Sequence, residues 1–367
     1  MAVLLPDAKK LAGRSRSPVK VSEQQWPSDA EPLVSFCCIT YNHAPYIREC
    51  LDSFLAQETT FPVEIVVHDD ASTDGTREIL KEYEARHPGL FHNILQDSNQ
   101  MSVGGDINTL LFTKARGHYI ALCEGDDYWT LSGKIENQVG FMLENPDLAG
   151  CFHNSVYVST EGQVIDSNYF SKEKTLFTQK DCIETLLSQY ATSSLLFVRD
   201  AAKTMPPWFL RRPSDFFLDL LITGSGPLGF LSINASVYRK QQTGIWSRMD
   251  CVSQYIEQIR RFQVLLEEPD FSRSYADLLH ARIEEYKKNL YSAQDHWKEV
   301  SELDERLNQL SRENAVLHAI AYPSGLSGLA NYIFRLFPLL ATGLKARLPE
   351  NIRNRITGAF RRAKKHG

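Results

Sequence analysis

Four times between residues 33 and 143 a short apolar run gives way to apolar residues spaced by three and four. Residues 33–40 are nearly unbroken in their apolarity, as a strand buried on both faces requires, and Ile47, Cys50, Leu51, Phe54 and Leu55 then share one helix face. Residues 63–67 form a second run that leads into His68, Asp69 and Asp70. Ser72 to Thr76 supply a helix start there, and Ile79, Leu80 and Tyr83 its apolar face. A third strand is expected near 91–96 with a short helix near 106–115. A fourth strand, 118–123, precedes a helix with Ile135, Val139, Met142 and Leu143 turned inward. Parallel strands need a crossover between them, usually a helix, so this alternation predicts an α/β domain with a mainly parallel sheet.

Polar groups follow three of these strands at their carboxyl ends: Thr40, Tyr41 and Asn42 after the first, Asp69 and Asp70 after the second, and Glu124, Asp126 and Asp127 after the fourth. In open α/β sheets the ligand crevice lies along that edge. Carboxylates packed as densely as 124–127 repel one another, and they make sense around Mg²⁺ or Mn²⁺ that is itself bound to a phosphate. Tyr41 offers a face for a base to stack on, and Asp70 an acceptor for the imide of a pyrimidine. Taken singly, Tyr41 is a turn aromatic, Asp70 a helix-capping acid and the acid pair a solvated loop. Taken together they point to a nucleoside diphosphate bound through a metal. Neither GxxxxGK[ST] nor GxGxxG follows a strand, so a cation is left to neutralise the diphosphate.

The remainder of the chain sets the boundaries. Residues 1–30 are polar and basic, read as a flexible arm; 31–250 hold the α/β domain, with a mixed half after 149; 251–320 are charged and helical; 321–367 are basic and amphipathic. Val300, Leu303, Leu307, Leu310, Asn314 and Leu317 recur at alternating spacings of three and four, which suits either a short coiled coil, hence a homodimer, or a helix packed on its own domain. The tail's Lys345, Arg347, Arg353, Arg355, Arg361, Arg362, Lys364 and Lys365 oppose the single acid Glu350, a pattern for an anionic membrane surface or for a solvated end. A net charge of −5 argues against nucleic acid as a partner. Seven cysteines without a CxxC pair read as reduced thiols, and no stretch of about 20 apolar residues offers a membrane span.

Residues 32–35 and 40–42, then 68–76, then Glu124-Gly125-Asp126-Asp127-Tyr128-Trp129, resemble the successive motifs of family-2 glycosyltransferases of the GT-A fold, a resemblance that covers about residues 32–250. It implies inverting transfer of a sugar from a nucleotide sugar, with Thr40, Tyr41, Asn42 and Asp70 towards the nucleotide. It also implies ribose and metal duties for Asp126 and Asp127, and Mn²⁺ or Mg²⁺ as cofactor. The family's general base matches Asp215 in Ser214-Asp215-Phe216-Phe217, with Asp219 one turn on as the alternative. Where relatives often carry histidine as a metal or phosphate ligand, this chain has Gln241, an amide that carries no charge. Arg239 and Lys240 are candidate diphosphate contacts, and residues 191–194 either approach the acceptor or form a tight packing turn.

The resulting expectation is a cytoplasmic enzyme peripheral to the inner face of the membrane. It would move a sugar from a UDP- or dTDP-type donor to a glycan or lipid-linked acceptor in cell-surface polysaccharide synthesis. The alternative is a non-catalytic nucleotide-sugar-binding subunit. A nucleotidyltransferase is disfavoured, because Thr40-Tyr41-Asn42-His43 stands where its glycine-rich loop would be.

Overall fold

The computed structural model describes residues 17–27, 29–103, 105, 107–168, 174–185, 190–211, 213–241 and 249–293. The chain divides into two units, Met1–Leu290 and Tyr291–Gly367, and nearly all of the second lies outside the described residues. The 300–317 stripe and the basic tail fall there.

The first unit is built on strands β1 (Val34–Thr40), β2 (Val63–Asp69), β3 (Phe91–Leu95) and β4 (Tyr119–Glu124), with helices α1 (Ile47–Leu55), α2 (Thr76–Arg86) and α3 (Ile107–Lys114) between them. The four strands are parallel in the order β3-β2-β1-β4. The chain leaves β1 towards β2 on one side, while β4 lies on the other. That reversal opens a crevice at the carboxyl ends of β1 and β4, where ligands bind in such sheets. Thr40 pairs with Asp69 and Ile39 with Glu124, so the three polar clusters end level with one another.

Beyond β4 the sheet turns mixed. After β5 (Tyr128–Trp129) and α4 (Lys134–Glu144) come β6 (Gly150–Val158), β7 (Val164–Asn168), β8 (Leu176–Phe177), β9 (Leu196–Val198) and β10 (Leu228–Arg239). The full order is β8-β10-β6-β9-β4-β1-β2-β3, with β7 on β6 and β5 on β10. β9 is antiparallel to both β4 and β6, whereas β6 and β10 are parallel. The expected four-strand α/β half and its mixed continuation are therefore one sheet, of ten strands among the described residues.

Alternation along β1 sorts the core into two layers. Val34, Phe36 and Cys38 face α1 and α4, packing on Ile47, Leu51, Phe54, Ile135 and Val139. Cys37 faces the other side, where Leu111 and Phe112 of α3 meet Phe216 and Phe217 of α5 (Asp215–Thr223). Phe262 and Leu265 of α6 (Cys251–Glu267), with Phe271, Leu279 and Ile283 beyond it, enter the same layer. The helical region starting at 251 thus belongs to the first unit as far as Leu290. All seven cysteines are free, and only Cys251 is exposed. Among the described residues no helix is long and apolar enough to cross a membrane.

Gly117 shows how tightly the entry to β4 is fitted. A Cβ there would stand 2.5 Å from the Ser35 amide nitrogen and 2.7 Å from its hydroxyl. Ser35 bonds Glu64 at 2.6 Å and receives the Gly117 amide at 2.9 Å, so neither partner has room to yield. Gly117→Ala is expected to cost about 1–3 kcal/mol, the usual range for overpacking. Urea denaturation with an unchanged midpoint would contradict this.

Candidate functional site

The crevice is floored by two turns that are stitched together. After β1 the backbone turns at Asn42, with φ of 55°, and after β2 at Ala71, with φ of 64°. Such angles are costly for residues other than glycine and persist only where the surroundings impose them. Here the Asn42 amide donates to Ser72 Oγ at 2.8 Å, and the Thr73 amide donates back to Asn42 Oδ1 at 2.9 Å. The His43 amide bonds Thr76 Oγ1 at 3.0 Å and the Ala44 amide bonds Asp74 Oδ2 at 2.9 Å. Pinned in this way, Tyr41 stands 46% exposed, its ring open to a stacking partner.

Asp70 has a duty that the sequence did not reveal. It is buried, and its two oxygens accept the backbone amides of Gln100 at 2.6 Å and Met101 at 3.0 Å. It therefore shapes the loop beside Tyr41, whatever else it touches.

The acidic turn follows β4. The Gly125 amide bonds the Ile39 carbonyl at 2.9 Å, which lays the turn against the end of β1. A Cβ at Gly125 would meet Thr40 Oγ1 at 2.7 Å and His43 Nδ1 at 3.0 Å, so only glycine permits this approach. Thr40 is thereby sealed beneath the turn, wholly buried. Asp127 is 1% exposed. Its Oδ1 accepts the Arg239 amide at 2.8 Å, while its Oδ2 is buried without a hydrogen bond among the described residues. Asp126 accepts from Gln241 Nε2 at 2.7 Å and lies 3.7 Å from His43 Nδ1.

The guanidinium of Arg239, the candidate diphosphate contact, is 7% exposed and engaged by its neighbours. It donates to the Asp126 carbonyl at 3.1 Å and to Glu49 at 2.8 Å, and lies 4.7 Å over the Tyr46 ring. Its place at the turn follows from β10, whose Ser236 and Val237 pair with Trp129 and Tyr128 just past the acids. Gln241 does reach the acid pair, donating from its Nε2 to Asp126 Oδ2 at 2.7 Å.

Asp215 opens α5 opposite the turn. Ser214 caps that helix, accepting the Phe217 amide at 3.3 Å. Asp215 is accessible to solvent yet crowded by protein, and that crowding raises its carboxyl pKa against the opposing pull of Arg261 and Thr192. Burial raises Glu124 well above the usual carboxylate range, and Asp126, Asp215 and Asp127 push it further. Asp127 is raised by burial and then by Asp126. The Tyr238 hydroxyl, raised by burial, feels all four carboxylates. Asp219, the alternative base, is buried and takes the Tyr190 hydroxyl, so it lies out of reach of an acceptor. His43, Glu49, Tyr190 and Tyr238 were not anticipated at this site. The residues nearest them in space are distant in sequence.

The donor set suits a hard divalent cation: carboxylate oxygens only, one of them buried and unpartnered, in a cleft with unbalanced negative charge. Among the described residues no three metal-ligating side chains converge. Asp126 and Asp127 would hold such an ion with a diphosphate and water completing its shell, as is usual for Mg²⁺. Gly125→Ala should leave the far-ultraviolet circular dichroism unchanged and weaken UDP binding in Mn²⁺ at least tenfold by calorimetry. Affinity equal to wild type would show that the close approach of the turn to β1 does not matter.

The chain is similar in sequence to several known proteins. The sequence profile of glycosyl transferase family 2 matches residues 35–204. The chain is 30% identical over 194 residues to TuaG, a candidate glycosyltransferase of teichuronic acid biosynthesis in Bacillus subtilis, covering 53% of this chain and 74% of that one. It is 38% identical over 216 residues to the uncharacterized protein Rv1520 of Mycobacterium tuberculosis, covering 58% of this chain and 60% of that protein's length. Staphylococcus aureus TarS 1–349 in complex with UDP superposes with a TM-score of 0.48 at 17% identity, covering 90% of this chain and 87% of that one.

Proposed function

The chain belongs to glycosyl transferase family 2, and from that premise we propose that it is a metal-dependent, inverting glycosyltransferase. Its donor on this reading is a uridine or thymidine diphosphate sugar, and its acceptor a hydroxyl of a glycan or lipid-linked glycan in cell-surface polysaccharide synthesis. The similarity to TuaG, a candidate glycosyltransferase of teichuronic acid biosynthesis, supports that acceptor class. The observation that carries the proposal is the meeting of Glu124, Asp126 and Asp127 with Asp215 across one cleft, at the edge where Tyr41 stands exposed.

Each group has work to do in such a transfer. Tyr41 stacks on the base, and the Asp70-shaped loop borders it. Asp126 and Asp127 would hold the cation, which would supply screening for the charge of the leaving diphosphate. Arg239 and Glu49 keep the turn in place. Asp215 accepts the proton of the acceptor hydroxyl as its oxygen attacks the anomeric carbon; the bond from that carbon to the diphosphate breaks, and its electron pair leaves with the diphosphate. A raised pKa makes Asp215 a better proton acceptor than an ordinary aspartate. It also means that activity falls as pH drops through that raised value, because only the ionised form acts.

Asp215→Asn should lower turnover of a UDP-, dTDP- and GDP-sugar panel by about 10²–10⁴-fold, the usual contribution of a general base. Donor affinity should stay within about twofold. Loss of both would refute the base assignment, and no turnover of any donor by wild type would favour a non-catalytic binding subunit.

The basic tail supports a peripheral membrane placement on the cytoplasmic side, each lysine or arginine contributing roughly 1 kcal/mol at an anionic surface. Removal of 321–367 should abolish sedimentation with phosphatidylserine vesicles while donor hydrolysis continues. Unchanged sedimentation would refute the anchor.

A further inference from the structure

Residues 190–194 hold both walls of the cleft. From the acid side, Trp129 Nε1 donates to the Ser193 carbonyl and Gln138 Nε2 to the Ser194 carbonyl, each at 2.9 Å and buried. The Leu122 amide, two residues before Glu124, donates to the Leu195 carbonyl at 3.1 Å. From the base side, the Tyr190 hydroxyl donates to Asp219, one turn along α5 from Asp215, and its ring stacks on Phe152 with centroids 4.3 Å apart. Between these anchors lies a single tight turn, closed by the Ser194 amide to the Ala191 carbonyl at 2.8 Å and the Leu195 amide to the Thr192 carbonyl at 3.1 Å.

This turn looks both ways. The Thr192 hydroxyl lies against Asp215 and favours its ionised form. Ser193 stands on the acid side, where its carbonyl takes Trp129 Nε1, two residues beyond Asp127. Ser193 Oγ also sits 3.4 Å from Ser236 Oγ, which bonds Ser155 Oγ at 2.8 Å. Ser193 and Ser194 are wholly buried, so neither touches an acceptor, and the packing-turn alternative for 191–194 holds for both.

We propose that residues 190–194 are a spacer that fixes the separation between the proton acceptor and the cation-holding carboxylate, with Thr192 and Ser193 as its positioning residues. The proposal rests on the roles given above to Asp215 and Asp127. Its physical basis is that consecutive Cα atoms lie 3.8 Å apart, so hydroxyls on neighbouring residues cannot drift independently. An in-line displacement needs the base on one side of the anomeric carbon and the diphosphate on the other. Misplacement by about 1 Å can cost on the order of 100-fold in rate. Carboxylates borne by separate elements of a repelling cluster would not keep that spacing unaided. A short turn whose carbonyls are bound to the acid wall, with its leading tyrosine bound to the base helix, does keep it.

The test uses the full chain, the same donor panel and Mn²⁺, with Asp215→Asn measured alongside. Thr192→Val keeps the side-chain shape and removes the hydroxyl. It should lower kcat at least tenfold, leave the donor KM within twofold and move the acid limb of the pH profile to higher pH, and Thr192→Ser should restore both kcat and the acid limb. Ser193→Ala should instead raise the donor KM and the Mn²⁺ concentration required, with the acid limb unmoved. Wild-type kcat and acid limb in Thr192→Val, or a loss that Thr192→Ser does not restore, would overturn the spacer while Asp215→Asn remains inactive. Turnover retained by Asp215→Asn would overturn the base assignment and the spacer with it.

Discussion

Negative charge crowded into one cleft is the constraint on which this structure depends. Burial already disfavours charge at Glu124 and Asp127, Asp126 raises the cost of ionising each of them further, and Asp215 adds to that of Glu124. Left alone, such a cluster would protonate or splay apart. The surrounding residues resist splaying. Gly125 lets the turn sit on Thr40, the Arg239 amide holds Asp127, the Arg239 side chain holds the Asp126 carbonyl, and Gln241 holds Asp126 itself. A scaffold that keeps carboxylates together without neutralising them is suited to a cation that arrives with its ligand.

That requirement explains why the sheet has two different halves. The parallel half, β3-β2-β1-β4, delivers three loop ends to one edge, the one where Tyr41 stands exposed. The mixed half brings the other components back to the same edge. β10 returns alongside β5 so that Arg239 reaches the acid turn, and the 190–194 stretch runs into β9 beside β4. Helix α5 rests against the core layer shared with α3 and α6, which sets Asp215 opposite the acids. The helices after 251 are thereby part of the support for the base.

The nucleotide side was legible in the sequence because its signals are local. Unbroken apolar runs, three-and-four spacing and polar residues at strand ends located β1 to β4 to within a residue or two. The opposite side was not. Asp215 was found through family resemblance, since an acid opening a helix is ordinary by itself. Arg239 looked like a surface strand end with two bases, yet its amide bonds an acid 112 positions away. The 12 residues of β10 pass from buried to partly exposed and back, with two register shifts against β6, so no single period marks them. Asp70 looked free to meet a base, but its hydrogen bonds go to a loop 30 residues further on. Long-range pairing of this kind leaves no trace in spacing.

Whether the carboxylate cleft is a cation–diphosphate site is decided most directly by titrating UDP into the wild-type protein by calorimetry, once with Mn²⁺ and once with EDTA. A site held together as described binds UDP with Mn²⁺ and loses at least tenfold in affinity when the metal is removed. UDP binding of equal strength in both conditions, or binding in neither, would contradict it.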